Sequence, residues 1–69
     1  MKVGDLFVFK SQRMFAMAHP KDGKIGIYLG EAFIHRSDGI VVQNHKIIFN
    51  GEAAPITIDK TVLISLKKL

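Results

Sequence analysis

The sequence predicts an all-β protein: a single small antiparallel barrel of five strongly bent strands. Three observations carry that prediction. Three Asx-Gly pairs, Asp22-Gly23, Asp38-Gly39 and Asn50-Gly51, punctuate a chain of 69 residues. Glycine takes positive φ without a Cβ clash, and Asn and Asp tolerate it better than most residues, so such pairs suit the tight turns between antiparallel strands. The runs between the pairs are rich in Val, Ile and Phe, and no window of about 11 residues favours the helical period over the strand period.

Leu6-Phe7-Val8-Phe9 reads as the first strand, introduced by Gly4-Asp5, and its four apolar residues ask for cover on both faces. Lys10 to Lys24 forms the longest connection, with Pro20 inside it and the Asp22-Gly23 turn at its end. This connection also holds Met14-Phe15-Ala16-Met17-Ala18, and five apolar residues in a loop must pack on something. Ile25, Ile27 and Leu29 alternate with Gly26, Tyr28 and Gly30 as the second strand. Its two glycines predict a bend, a bulge, or close approach of another backbone. Phe33-Ile34-His35 continues it to the turn at Arg36-Ser37-Asp38-Gly39.

The third strand takes Ile40-Val41-Val42-Gln43 and Ile47-Ile48-Phe49, with Asn44-His45-Lys46 between them as either a bulge or an extra turn. Asn50-Gly51 closes it, and Ile56-Thr57-Ile58 is the fourth. Asp59-Lys60-Thr61 fits a single 3₁₀ turn with Asp59 accepting backbone hydrogen bonds at its start. Val62, Ile64 and Leu66 alternate with Leu63, Ser65 and Lys67 as the last strand. The expected core is Leu6, Val8, Ile25, Ile27, Ile40, Val42, Ile48, Ile56, Val62 and Ile64. No internal repeat or second domain is visible, so residues 1–69 read as one domain.

Strand, long loop, three meandering strands, 3₁₀ turn and last strand is the order of an SH3-like barrel. The opening Lys2-Val3-Gly4-Asp5-Leu6-Phe7, the Gly26-Ile27-Tyr28-Leu29 strand, the Asn50-Gly51-Glu52 turn and the ending Ile58 to Leu66 resemble short SH3-like proteins of phages and bacteria. Gly4 to Val8 followed by Gly23 to Ile27 is also similar, more weakly, to the KOW motif of transcription and ribosome-associated barrels, with a longer interval than that motif has. An OB-like or Sm-like barrel is the runner-up fold.

A domain of this size buries only about 60% of its unfolded surface, and its own core supplies just a few kcal/mol. The chain has no cysteine, which excludes disulfides and thiolate metal sites. An apolar core and self-association remain as supports, and a hydrophobic content of 48% favours both. No signal peptide is visible at Met1-Lys2-Val3, and the apolar runs fall far short of the ~20 residues that span a bilayer. The expectation is a soluble cytoplasmic protein without a membrane contact. A formal charge of +4 suits an anionic partner and equally suits plain solvation.

His19, His35 and His45 stand too far apart for the short fixed spacings of a built metal site, and no serine sits in a Gly-x-Ser-x-Gly elbow. The sequence therefore predicts no enzyme, no cofactor, no metal and no small-molecule substrate. With one tyrosine and no tryptophan, it also lacks the aromatic groove of proline-peptide binders.

Two partner classes remain. Lys10, Arg13, Lys21 and Lys24 place four cations in the first loop, with Phe15 among them, a combination that binds phosphate and stacks on bases. A solvated basic loop is the simpler account of it. Strands apolar on both faces and the Met14 to Ala18 stretch instead predict a homo-oligomer, with Phe7, Phe9, Met14, Phe15 and Met17 as interface residues. The leading expectation is thus a non-enzymatic interaction or assembly module of phage type; the alternative is a nucleic-acid-binding barrel of KOW or Sm type.

Overall fold

The first three strands form where apolar runs meet glycine turns. A computed structural model describes residues 1–11 and 20–69. Within them lie β1 (Leu6–Phe9), β2 (Ile25–His35), β3 (Val41–Phe49), β4 (Ile56–Ile58), the single helical turn α1 (Lys60–Leu63) and β5 (Leu66–Lys68). The strands make one antiparallel five-stranded sheet in the order β4-β3-β2-β1-β5. β4 and β5 are its two edges and do not pair with each other, so the sheet is open where a closed barrel was expected.

The turns use glycine alone for positive φ. Gly23, Gly39 and Gly51 have φ of 83°, 85° and 86°, and no described non-glycine residue has positive φ. Backbone bonds from Lys24 to Lys21 and from Glu52 to Phe49 put Gly23 and Gly51 at the third turn position, where a type II turn requires positive φ. The preceding Asx residue contributes an acceptor in two of the three pairs: Asp22 accepts from the Ser11 amide at 2.7 Å and Asp38 from the Ile40 amide at 3.1 Å.

β2 is one strand of 11 residues. Its pairing with β3 slips once, between Tyr28–Ile47 and Gly30–Lys46, a bulge that leaves Leu29 without an opposite residue. β3 likewise runs unbroken through Asn44-His45-Lys46. At the other end, Asp59 caps α1 by accepting from the Thr61 and Val62 amides. That cap produces a turn of α-helix where a 3₁₀ turn was expected. It also draws Val62 and Leu63 out of the last strand, which begins only at Leu66.

The core lies on the opposite face of the sheet from the one the alternation predicts. Its buried residues are Phe7, Phe9, Tyr28, Ile47, Phe49, Ile58 and Leu66, with Val62 and Leu63 packed against them. Among the predicted core residues, Leu6, Ile25, Ile27, Ile40, Ile56 and Ile64 are exposed, and Val8, Val42, Ile48 and Val62 are half-buried. The cause is the row Phe7–Gly26–Phe49, three directly opposed residues on β1, β2 and β3. The two rings meet edge to face across Gly26, centroids 5.7 Å apart, and Phe9 meets Phe49 at 6.0 Å. A Cβ on Gly26 would lie 2.6 Å from Phe7 Cζ and 2.6 Å from the Ile48 carbonyl oxygen. Glycine thus opens the space that the phenylalanines fill.

Three carboxylates tie down the ends of elements. Asp5 accepts from the Lys2 amide at 2.8 Å and lies 3.7 Å from Lys68 Nζ on β5. Glu52 pairs with Lys21, and Asp59 binds the Thr61 hydroxyl besides its two amides. Each carboxyl is held below its usual value: Asp5 chiefly by the Lys2 amide, Glu52 by Lys21, and Asp59 by the Thr61 hydroxyl and then the Val62 amide.

Gly26→Ala should lower the unfolding free energy by roughly 1–3 kcal/mol, the usual cost of overpacking a core. In a double-mutant cycle with Phe7→Leu, measured by urea denaturation, that penalty should shrink. Equal penalties in both backgrounds would separate Gly26 from the ring. For pH, carboxyls depressed in the folded state contribute stability above their unfolded values and lose it as pH falls through the folded ones. Those usual values are 3.8 for Asp5 and Asp59 and 4.5 for Glu52. The denaturation midpoint should therefore fall on acidification below about pH 4.5, and a midpoint that rises there would contradict these pairings.

Candidate interaction face

Because side chains alternate along a strand, burying Phe7, Phe9, Tyr28, Ile47 and Phe49 turns their neighbours outward. Leu6 faces Ile27, Ile27 faces Ile48, and Val8 faces Ile25 in the register. These five residues form a contiguous apolar patch across the three central strands. Leu6, Ile25 and Ile27 keep 49%, 45% and 39% of their surface exposed, while Val8 and Ile48 are half-buried. A shallow cavity of about 310 Å³ lies over the patch, bounded by Leu6, Ile25, Ile27, Ile48 and the Asn50–Glu52 turn.

The rim is charged. Glu52 bonds Lys21, whose Nζ also stands 5.1 Å from the centroid of the buried Phe49 ring. On β5, Lys67 lies opposite Val8. An apolar floor with a charged margin is the arrangement of a protein-contact surface.

Of the interface residues expected from sequence, Phe7 and Phe9 are core residues with 0% and 6% exposure. They cannot form a surface, and Leu6 and Val8 present the outer side of β1 in their place. Met14, Phe15 and Met17 lie outside the described residues, as do Arg13 and His19. Among the basic loop residues, Lys10 and Lys24 are exposed, and Lys21 is engaged with Glu52.

The remaining histidines do not gather. His35 is exposed at the far end of β2, whereas the His45 Nδ1 lies 2.7 Å from the Tyr28 hydroxyl. Burial, and secondarily the charge of Glu31, pushes the Tyr28 phenol above its usual value. Among the described residues no three His, Asp or Glu side chains are grouped as a metal would require, and no helix is long and apolar enough to cross a membrane. No protein-family model, curated protein or solved structure matches the chain.

Sequence reasoning found the exposed apolar face in kind but missed its members. The signal that would have found them was present in β2, where Gly26 and Tyr28 share one face and Ile25 and Ile27 the other. Small residues opposite phenylalanines mark the face that must accommodate rings.

Proposed function

We propose that this protein is a small non-enzymatic assembly module of the SH3-like type that associates with itself through the outer face of its sheet. The order β4-β3-β2-β1-β5 with a helical turn before the last strand supports the SH3-like assignment. The observation that carries the functional reading is the Leu6, Val8, Ile25, Ile27 and Ile48 patch on the central strands. A sheet with one face on the core normally turns polar residues outward, and here the centre of that outward face is aliphatic throughout.

Size gives the patch its weight. Among the described residues the large side chains buried completely are Phe7 and Ile47, a thin core for a domain of this length. Covering the exposed half of each isoleucine or leucine contributes roughly 1 kcal/mol. Several such residues together rival what a core this small can supply.

Light scattering over a micromolar concentration series should find a dimer or higher species. Ile27→Lys should lower the mass to that of a monomer while far-UV circular dichroism stays unchanged, because Ile27 is outside the core. A parent protein that is monomeric at high micromolar concentration sinks the reading. Added salt separates it from the nucleic-acid alternative: apolar association persists or strengthens, whereas phosphate contacts made by Lys10 and Lys24 would weaken steeply.

A further inference from the structure

The β2–β3 hairpin outruns its neighbours. Among the described residues, β1 follows β2 only as far as Tyr28, and β4 follows β3 only as far as His45. The rungs Ala32–Asn44, Phe33–Gln43, Ile34–Val42 and His35–Val41 continue beyond them. They form a two-stranded ribbon roughly 13 Å long, ending in the Arg36–Ile40 turn. That turn is closed by backbone bonds between Arg36 and Ile40 and by the Arg36–Asp38 ion pair at 3.1 Å.

A two-stranded ribbon is marginally stable at best in water; the Asp59–Thr61 turn flanks this one along Val41–Gln43, and both of its faces carry exposed apolar residues. Phe33 and Val41 are on the core-facing side at 60% and 51% exposure, and Ile34 stands at 41% on the outer side beside Val42. The same chain carries an apolar depression about 310 Å³ in volume over Leu6, Ile25, Ile27 and Ile48. The ribbon cannot reach the depression of its own chain. Ile34 and Ile27 lie on one face of one continuous strand, seven positions apart.

Resting on the self-association reading, we infer that the partner is a second copy of this chain: the outer face of each β2–β3 ribbon seats on the Leu6–Ile27–Ile48 depression of the other. The register fits a two-fold arrangement. An axis between the stacked sheets, crossing the strands at the Glu31–His45 rung, midway between the Ile27–Ile48 and Ile34–Val42 rungs, carries Ile34 and Val42 of one copy over Ile27 and Ile48 of the other. The same operation seats the second ribbon, so both apolar surfaces are covered and the assembly closes at two.

The absence of cysteine makes introduced thiols specific reporters. Ile34→Cys and Ile27→Cys are prepared separately, mixed, and treated with a short bismaleimide. The expected product is a 34–27 cross-link identified by peptide mass spectrometry. Ile34→Asp should weaken dimerisation by more than roughly tenfold, since it places an unpaired charge in the contact, with the circular dichroism of the parent retained. If Ile34→Asp loses that spectrum, the cross-link decides alone. A dimer that links 27 to 27, or that ignores Ile34→Asp while folded, overturns the ribbon exchange and leaves the outer-face reading standing. A monomeric parent overturns both.

Discussion

Two phenylalanines meeting over a glycine set the orientation of this molecule. Phe7 and Phe49 stand on β1 and β3, and the ring edge of one reaches the face of the other only because Gly26, between them on β2, has no side chain. Aromatic pairs in this geometry contribute beyond their buried area. Here the pair also fixes which way each central strand turns. A one-residue change of register would send every aromatic into solvent, so the row acts as the pin for the register of the three central strands. Tyr28, Ile47 and Phe9 follow from it by alternation.

The outer face is the other consequence of the same row. Strands with large apolar residues at both parities cannot bury both in a single layer, and volume decides which set goes inside. Rings fill the space beneath the sheet together with Ile47, Ile58 and Leu66, and Leu6, Val8, Ile25, Ile27 and Ile48 are left on the other side. The bulge at Leu29 then lets β2 continue with its faces re-registered to β3, and Gly30, with φ of 116°, makes that step possible. Val3 Cγ2 approaches so closely that a Cβ on Gly30 would lie 3.1 Å from it, which packs the N-terminal turn against the bulge. Beyond this point the hairpin has lost its strand neighbours and keeps only the Asp59–Thr61 turn beside β3, so bulge, ribbon and exposed patch are parts of one arrangement.

Much of the fold was legible in the residues. β1 and β4 fall where the apolar runs place them, the three Asx-Gly pairs make turns, and the two β2 glycines mark a close approach and a bulge, as strand glycines do. The parity was not legible from hydropathy, because Leu6-Phe7-Val8-Phe9 is apolar at every position and alternation there carries no information. In β2 the rule pointed the wrong way: Ile25 and Ile27 are more hydrophobic than Gly26 and Tyr28, yet steric room outweighs hydropathy when rings must fit. The turn at Asp59 and its capping by that carboxylate were legible, but its type and its extension through Val62 and Leu63 were not, because those two residues continue the apolar alternation of a strand. Met14, Phe15 and Met17, central to the expected site, lie outside the described residues.

A thin core and a wide apolar exterior have a common origin in the size of the domain. A sheet of this length has one concave side, and filling it with the seven buried side chains described leaves little further volume to occupy. Additional hydrophobic residues then have nowhere to go but the convex side, where they stabilise nothing until a second surface arrives. Natural sequences of single domains avoid this by placing charged residues there. In this chain the charges stand at the margin instead, with Lys21 and Glu52 beside the turn and Lys67 beside Val8. That division between aliphatic centre and ionic rim is costly for a lone molecule and favourable for a paired one, and it is the physical reason to read the convex side as a contact surface.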